Sequence, residues 1–340
     1  MKHRRPAGLF IFFFLSFGLF LTACSQQPQS VVLLGAQASV QDALVWIALD
    51  MGAYEREGVK VEIKPYPSGK RALQGLLRGD VELAVVAETP MVIAVPEHPD
   101  LRLFATVGQS DNNVCILGRR DHGIETARDL KGKTVATQKG SAVHFFLSSF
   151  LLDAGISKSD VEVRFLPVEA LADALVSGEV DAISMRDPVL ETAEERLGEK
   201  AVRLCRPGLY TKTYNLVGWS SFTSERPGVM ESILRALNRA ALLARREPAR
   251  AQALLEQRLE IPPHRIRQIW NTVEYRLSLN QALLVSLQEE LRWAVEAELL
   301  PAGLLEPGRV PNLVSLFEPK PLQKVLPEAV GIIGLTEATP

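Results

Sequence analysis

The chain has 340 residues, of which 47% are hydrophobic and 23% charged, with a formal net charge of −2. That composition is globular and the length suffices for two domains, while the absence of a basic stripe interleaved with aromatics excludes a nucleic-acid binder. Three cysteines without a C-x-x-C pair and five scattered histidines exclude a structural zinc site and a disulfide-dense scaffold, and neither metal nor cofactor is expected.

Met1-Lys-His-Arg-Arg5 is a basic start, and Pro6 to Ala23 carries no charge, with Phe10-Ile-Phe-Phe-Phe-Leu15 at its apolar centre. This is the layout of an export signal, at the short end of the ~20 residues that span a bilayer. Leu21-Thr22-Ala23-Cys24 looks like the lipobox of bacterial lipoproteins, which implies a signal peptide over 1–23 and a lipid on Cys24. The mature protein is then expected outside the cytoplasm, anchored to the membrane and facing periplasm or exterior. Residues 24–30 are polar and read as a linker.

Val31 to Leu34 opens a first strand, and a polar loop reaches Asp42 before a helical pattern of Leu44, Ile47, Ala48 and Met51. In this pattern Trp46 and Tyr54 read as core. Strand and helix signals then alternate. Val59 to Ile63 is a strand, Pro67-Ser-Gly-Lys70 turns, and a short helix follows. Val81 to Val86 is a buried strand ending in Ala87-Glu-Thr-Pro90, and Leu101 to Val107 is another. The alternation restarts at Val114-Cys-Ile-Leu117 and continues through Thr134 to Thr137, Val161 to Leu166, Ala182 to Met185 and Val202 to Cys205. Such alternation implies mostly parallel sheets covered by helices. Tyr214 to Trp219 has strand character and is placed back in the first unit. From Ser224 the pattern is helical over 227–247, 249–258, 262–275 and 281–300, and the proline-interrupted end reads as a tail over the body.

Within the second unit, the strand at 134–137 runs into Gln138-Lys-Gly-Ser141 and a helix. Gly140 frees the backbone and Ser141 stands where an N-cap belongs. Unpaired amides at a helix start can hold a sulfonate, phosphate or carboxylate, although the same pair can simply turn the chain.

Tyr66-Pro-Ser-Gly69, Ala87-Glu-Thr-Pro90, Asp129-Leu-Lys-Gly-Lys133, Gln138-Lys-Gly-Ser-Ala-Val-His-Phe145 and Gly178-Glu-Val-Asp-Ala182 leading to Asp187-Pro188, in this order, resemble the solute-binding proteins of nitrate, sulfonate and taurine ABC transporters. The likeness is greatest to the aliphatic-sulfonate branch, and it covers residues 31 to 245. It implies an α/β fold of the type II periplasmic binding protein kind, with two lobes joined by a hinge of two crossing strands. The first lobe is expected over 31–112 and 214–317, the second over 113–208 and the tail over 318–340. It also implies a small organic anion as ligand, a permease and an ATPase as partners, a monomer, and no catalysis.

In open α/β sheets ligands sit beyond the carboxyl ends of the strands. The loops leaving those ends carry Gln41, Asp42, Glu88, Thr89, Gln138, Gly140, Ser141, Ala142, His144, Arg186 and Asp187, and Asn215 lies on the returning strand. All twelve are candidate ligand contacts. The resembling sulfonate binders usually have tryptophan where Arg186 stands. That arginine can fork onto an anion or pair with Asp187 or Glu88. His144 can donate to ligand or pack against Phe145. Glu88 repels an anion, so it is expected on a ligand amine or on Arg186. The family topology makes Cys115 and Cys205 neighbours, where two buried thiols are expected over a bridge.

Two other roles compete with transport. Thiamine-pyrimidine synthases share the fold but rely on a cysteine-rich metal cluster that has no counterpart here, and binding proteins for a pyrimidine precursor have related clefts. A lobe that reports ligand to a membrane receptor is the other.

Overall fold

The structure is a computed structural model that describes Met1 and residues 31–301, 303–305 and 312–332. The expected signal peptide, the linker and Cys24 lie outside the described residues. Among the described residues no helix is long and apolar enough to cross a membrane.

Among the described residues, ten strands form two five-stranded sheets. β1 (Val31–Gln37), β2 (Lys60–Tyr66), β3 (Leu83–Val86) and β4 (Leu101–Ser110) precede β5 (Val114–Arg119), β6 (Thr134–Thr137), β7 (Glu162–Phe165), β8 (Ala182–Arg186), β9 (Ala201–Cys205) and β10 (Lys212–Trp219). The first sheet runs β2-β1-β3-β10-β4 and the second β7-β6-β8-β5-β9. β1 is parallel to β2 and β3, and β10 antiparallel to β3 and β4. The second sheet repeats the scheme: β6 is parallel to β7 and β8, and β5 antiparallel to β8 and β9. In each sheet the antiparallel member is thus the strand that has just crossed from the other one. The crossings are residues 111–113 and 206–211, where the sequence predicts a hinge.

Central strands are largely apolar because helices cover both faces, with buried exceptions such as Arg186 of β8 and Lys212 and Asn215 of β10. Every residue of β3, β5 and β8 is buried. Each sheet has its own core, one containing Leu34, Ile47, Leu83, Phe104, Leu216 and Leu237, the other Ile116, Val135, Phe146, Phe150, Leu175 and Ile183. Trp46 and Tyr54 are buried in the first, as expected.

The late helices span Pro227–Arg246, Pro248–Leu259, Pro263–Trp270 and Gln281–Glu296. The third ends five residues earlier than its periodicity predicts, because Glu274 and Ser278 pair instead with Gln109 and Thr106 of the sheet's edge strand β4. Covering an open edge satisfies backbone groups that a continued helix would leave exposed. The described tail lies on the same lobe: Phe317 bridges to Leu103, and Val330–Gly331 pairs with Leu279–Asn280.

One expectation is corrected. Cys115 and Cys205 stand directly opposite in the β5–β9 ladder with Cα atoms 4.6 Å apart, and they are joined in a disulfide rather than left as two thiols. That spacing is the close, non-hydrogen-bonded pairing of an antiparallel ladder, within bridging reach.

Candidate functional site

Parallel strands send their loops to the same end of a sheet, so the ends of β1, β3, β6 and β8 meet between the two sheets. There they enclose a cavity of about 30 Å³ lined by Asp42, Gln138, Ser141, Arg186, Lys212 and Tyr214, with Gln37, Ser68 and Lys70 completing its polar wall.

Each wall is fixed locally. Gln37 ends β1, and its backbone oxygen accepts from Trp46 Nε1 at 2.9 Å, while its N–H donates to Asp42 Oδ2 at 2.7 Å. Tyr275 holds the same loop through Val40 O at 2.7 Å. Ser68 caps the helix Gly69–Leu77, accepting from Arg71 N at 3.3 Å. Lys70 on that helix reaches across the lobes and donates to Lys139 O. Gly140 adopts φ 58°, and a side chain there would meet Lys70 Nζ at 3.3 Å. Ser141 is the N-cap of the helix Ala142–Asp153, as predicted, but its hydroxyl donates to Gln138 O at 2.6 Å instead of capping an amide. The N–H groups of His144 and Phe145 turn back to Ser141 O. The amides of Ala142 and Val143, ahead of them, have no partner within an α-helix, and both residues line the cavity.

Arg186 ends β8. It is 5% exposed, its Nη2 donates to Gln37 Oε1 at 2.6 Å, and its Nε has no partner. It pairs with neither Asp187 nor Glu88, which corrects the structural alternative raised from sequence. Asp187 is taken by Arg203 of β9, whose two terminal nitrogens lie 2.9 and 3.0 Å from its carboxylate. Glu88 is taken by the crossing segment: Tyr210 OH donates to one oxygen, and Thr213 N and Oγ1 donate to the other at 2.8 and 2.9 Å.

Burial dominates the electrostatics. It pushes the Asp42 carboxyl up to about 6, against the Gln37 amide and the charges of Lys212 and Arg186. It pushes Glu88 up to about 7 despite its donors. Lys212 is held well below the usual lysine range, first by burial and then by Arg186, with Glu88 and Asp42 pulling the other way. An added anion between Arg186 and Lys212 would favour both cations. Three cationic side chains and one acid line the cavity.

Of the twelve candidates, Asp42, Gln138, Ser141, Ala142 and Arg186 line this cavity; Gln41 and Asp187 line an adjoining outer pocket. Gly140 shapes the turn between them and Lys70. Four others sit elsewhere. His144 is wedged edge-on against Phe165 and Trp293, its Nδ1 accepts from Gly140 N at 3.3 Å, and burial brings its pKa down to about 4, so it is a neutral packing residue. Glu88 locks the crossing segment. Thr89 is fully buried beside Glu290, whose carboxyl burial raises far above its usual range. Asn215 is also fully buried, accepting from Thr106 Oγ1 and donating to Thr213 Oγ1, each at 2.8 Å.

Sequence reasoning missed Gln37, Ser68, Lys70, Lys212 and Tyr214. Tyr66-Pro-Ser-Gly69 was a signal for two of these, since it delivers Ser68 and the next residue, Lys70, to the cleft. Lys212 and Tyr214 gave none, because alternating polar and aromatic residues look like an ordinary strand.

A model of the family described as NMT1/THI5 like matches residues 40–251. Two relatives, both provisionally named aliphatic sulfonates-binding proteins, are similar: one from Bacillus subtilis is 27% identical over 219 residues, and one from Escherichia coli is 28% identical over 207. The alignments cover 62% and 60% of this chain, and the chain spans only 64% and 63% of those relatives' length. Among solved structures, the alkanesulfonate-binding protein SsuA of Xanthomonas axonopodis pv. citri, bound to MOPS, superposes with a TM-score of 0.70 at 22% identity, over 81% of this chain and 96% of that one. At that identity the likeness is one of fold.

Proposed function

Because this chain belongs to the NMT1/THI5-like family, we propose that it is the solute-binding component of an ABC importer, exported, tethered through Cys24, and built to capture a small organic anion such as an aliphatic sulfonate between its lobes. One observation carries the ligand class: Lys70, Arg186 and Lys212 face the inner cavity against the single carboxylate of Asp42, beside the open amides of a helix start. Buried cations without enough acids are stabilised by an anion that replaces their lost water. The relatives' names support sulfonate as the head group, and the repeated sheet topology with two crossings supports closure by hinge bending. A permease and an ATPase would then be the membrane partners that receive the ligand.

Purified mature protein titrated calorimetrically with organosulfonates, nitrate and sulfate should bind at least one sulfonate and be stabilised against heat by it. Arg186→Met should weaken that binding about 100-fold while circular dichroism remains unchanged. Binding of no anion in the panel, or full affinity in the variant, would contradict the assignment.

A further inference from the structure

The inner cavity has room for about two water-sized groups. That is enough for the oxygens of a head group and not for an organic body. Gln37 and Arg186 line it on one side and, on the other, an outer pocket of about 410 Å³. Val168, Met185, Val189, Ile261 and Ile269 give that pocket apolar flanks drawn from both lobes.

Within these flanks the polar groups are specific. Gln41 is 2% exposed, and its Nε2 donates to Asp187 O at 3.2 Å across the cleft. That bond fixes which way the amide faces, and leaves Oε1 a buried acceptor with no partner. The Ser39 hydroxyl, on the same wall and 3% exposed, also has none. Arg186 Nε, at the boundary with the inner cavity, is an unpaired donor. Tyr66 OH and Arg265 Nε, on two further residues of the lining, also lack a hydrogen-bond partner. Leaving buried polar groups unpaired is costly, and such a concentration around one pocket indicates that something else completes part of it. An oxygen of the head group suits Arg186 Nε. The Gln41 oxygen accepts only, so what meets it has to donate.

We infer that the ligand is an organosulfonate whose body carries a hydroxyl or N–H group, with the head in the inner cavity and that donor on Gln41 Oε1 in the outer pocket. This rests on the anion assignment above and narrows it. Bare nitrate or sulfate leaves the outer pocket unused, and an unsubstituted alkyl chain satisfies its flanks but not Gln41.

The test compares ω-hydroxyalkanesulfonates of two to four carbons with the alkanesulfonates in which methyl replaces hydroxyl, with methanesulfonate as the head alone. In calorimetric titrations of the full mature chain, the best hydroxyl ligand should bind about tenfold tighter than its methyl counterpart. Methanesulfonate should bind more weakly than either. In Gln41→Met the hydroxyl preference should collapse to near one, even if affinity for the whole series falls with the lost Asp187 contact. Equal affinity of hydroxyl and methyl ligands for the unmodified protein overturns the inference without recourse to any variant, while leaving the anion assignment standing. So does methanesulfonate binding as tightly as the rest, or a hydroxyl preference that survives in Gln41→Met. Failure of every sulfonate to bind overturns both.

Discussion

Arg186 carries the chemistry of the cleft because it is buried, charged and only partly paired. Its position after a buried strand and before Asp187-Pro188 was readable from the chain, since an arginine at a strand's carboxyl end must face whatever the loops enclose. What the chain could not reveal is its partner: Gln37 lies 149 residues away. Charge alone suggested Asp187 or Glu88, yet both acids have closer donors in Arg203 and Thr213. Glu88 offers a test of its own. Its folded pKa, about 7, lies above the unfolded value near 4.5, so the native state keeps a proton that the unfolded chain gives up between those limits. Its contribution is therefore fully present below about pH 4.5 and is lost as pH rises through 7. Glu88→Gln stays neutral while still accepting from Thr213, so between pH 5 and 8 the wild-type protein should lose roughly 1–3 kcal/mol more unfolding free energy than the variant. Urea unfolding at the two pH values measures this, and identical pH dependence in both proteins would refute it.

Among strands and helices, the alternation of apolar runs with helical periods located all ten strands of the two sheets, because each is an apolar or alternating run bounded by turn residues; burial at every residue holds for the central β3, β5 and β8 and not for the edge strand β7. The third late helix was overestimated, since periodicity does not register that Glu274 and Ser278 have a sheet edge to pair with. The disulfide was likewise out of reach. Ninety residues separate Cys115 from Cys205, and only the register of β5 against β9 makes them opposite. The bridge ties the strand that enters the second lobe to the last strand before the chain leaves it, closing a long loop whose entropy it removes from the unfolded state. Replacing both cysteines by serine should lower stability by about 2–4 kcal/mol in denaturant unfolding. No loss would mean that the ladder alone holds β5 to β9. Trp293, on a helix of the first lobe, packs 4.9 Å from His144 and 5.2 Å from Phe145 of the second. It explains why His144 is a packing residue, which its place in a helix's first turn could not disclose.

Across the molecule, two copies of one sheet plan face each other through their strand ends, and the chain crosses between them twice. The sequence showed the doubling and the convergence of loops, which follow from local pattern. Which loop residues face the cavity follows from how the lobes meet, so Lys70 and Lys212 emerged only in three dimensions. Together with Arg186 they make the cleft a place where negative charge is favoured, and that is the claim on which the proposed capture of an organic anion depends. It can be tested by changing charge while keeping shape. The best-binding sulfonate is titrated against the protein beside its primary sulfonamide, which replaces one oxygen by NH₂ and is neutral. The sulfonate should bind about 100-fold tighter or better, from the loss of charge-assisted hydrogen bonds to buried cations. Equal affinity, or a preference for the sulfonamide, would contradict an anion seat at Arg186 and Lys212.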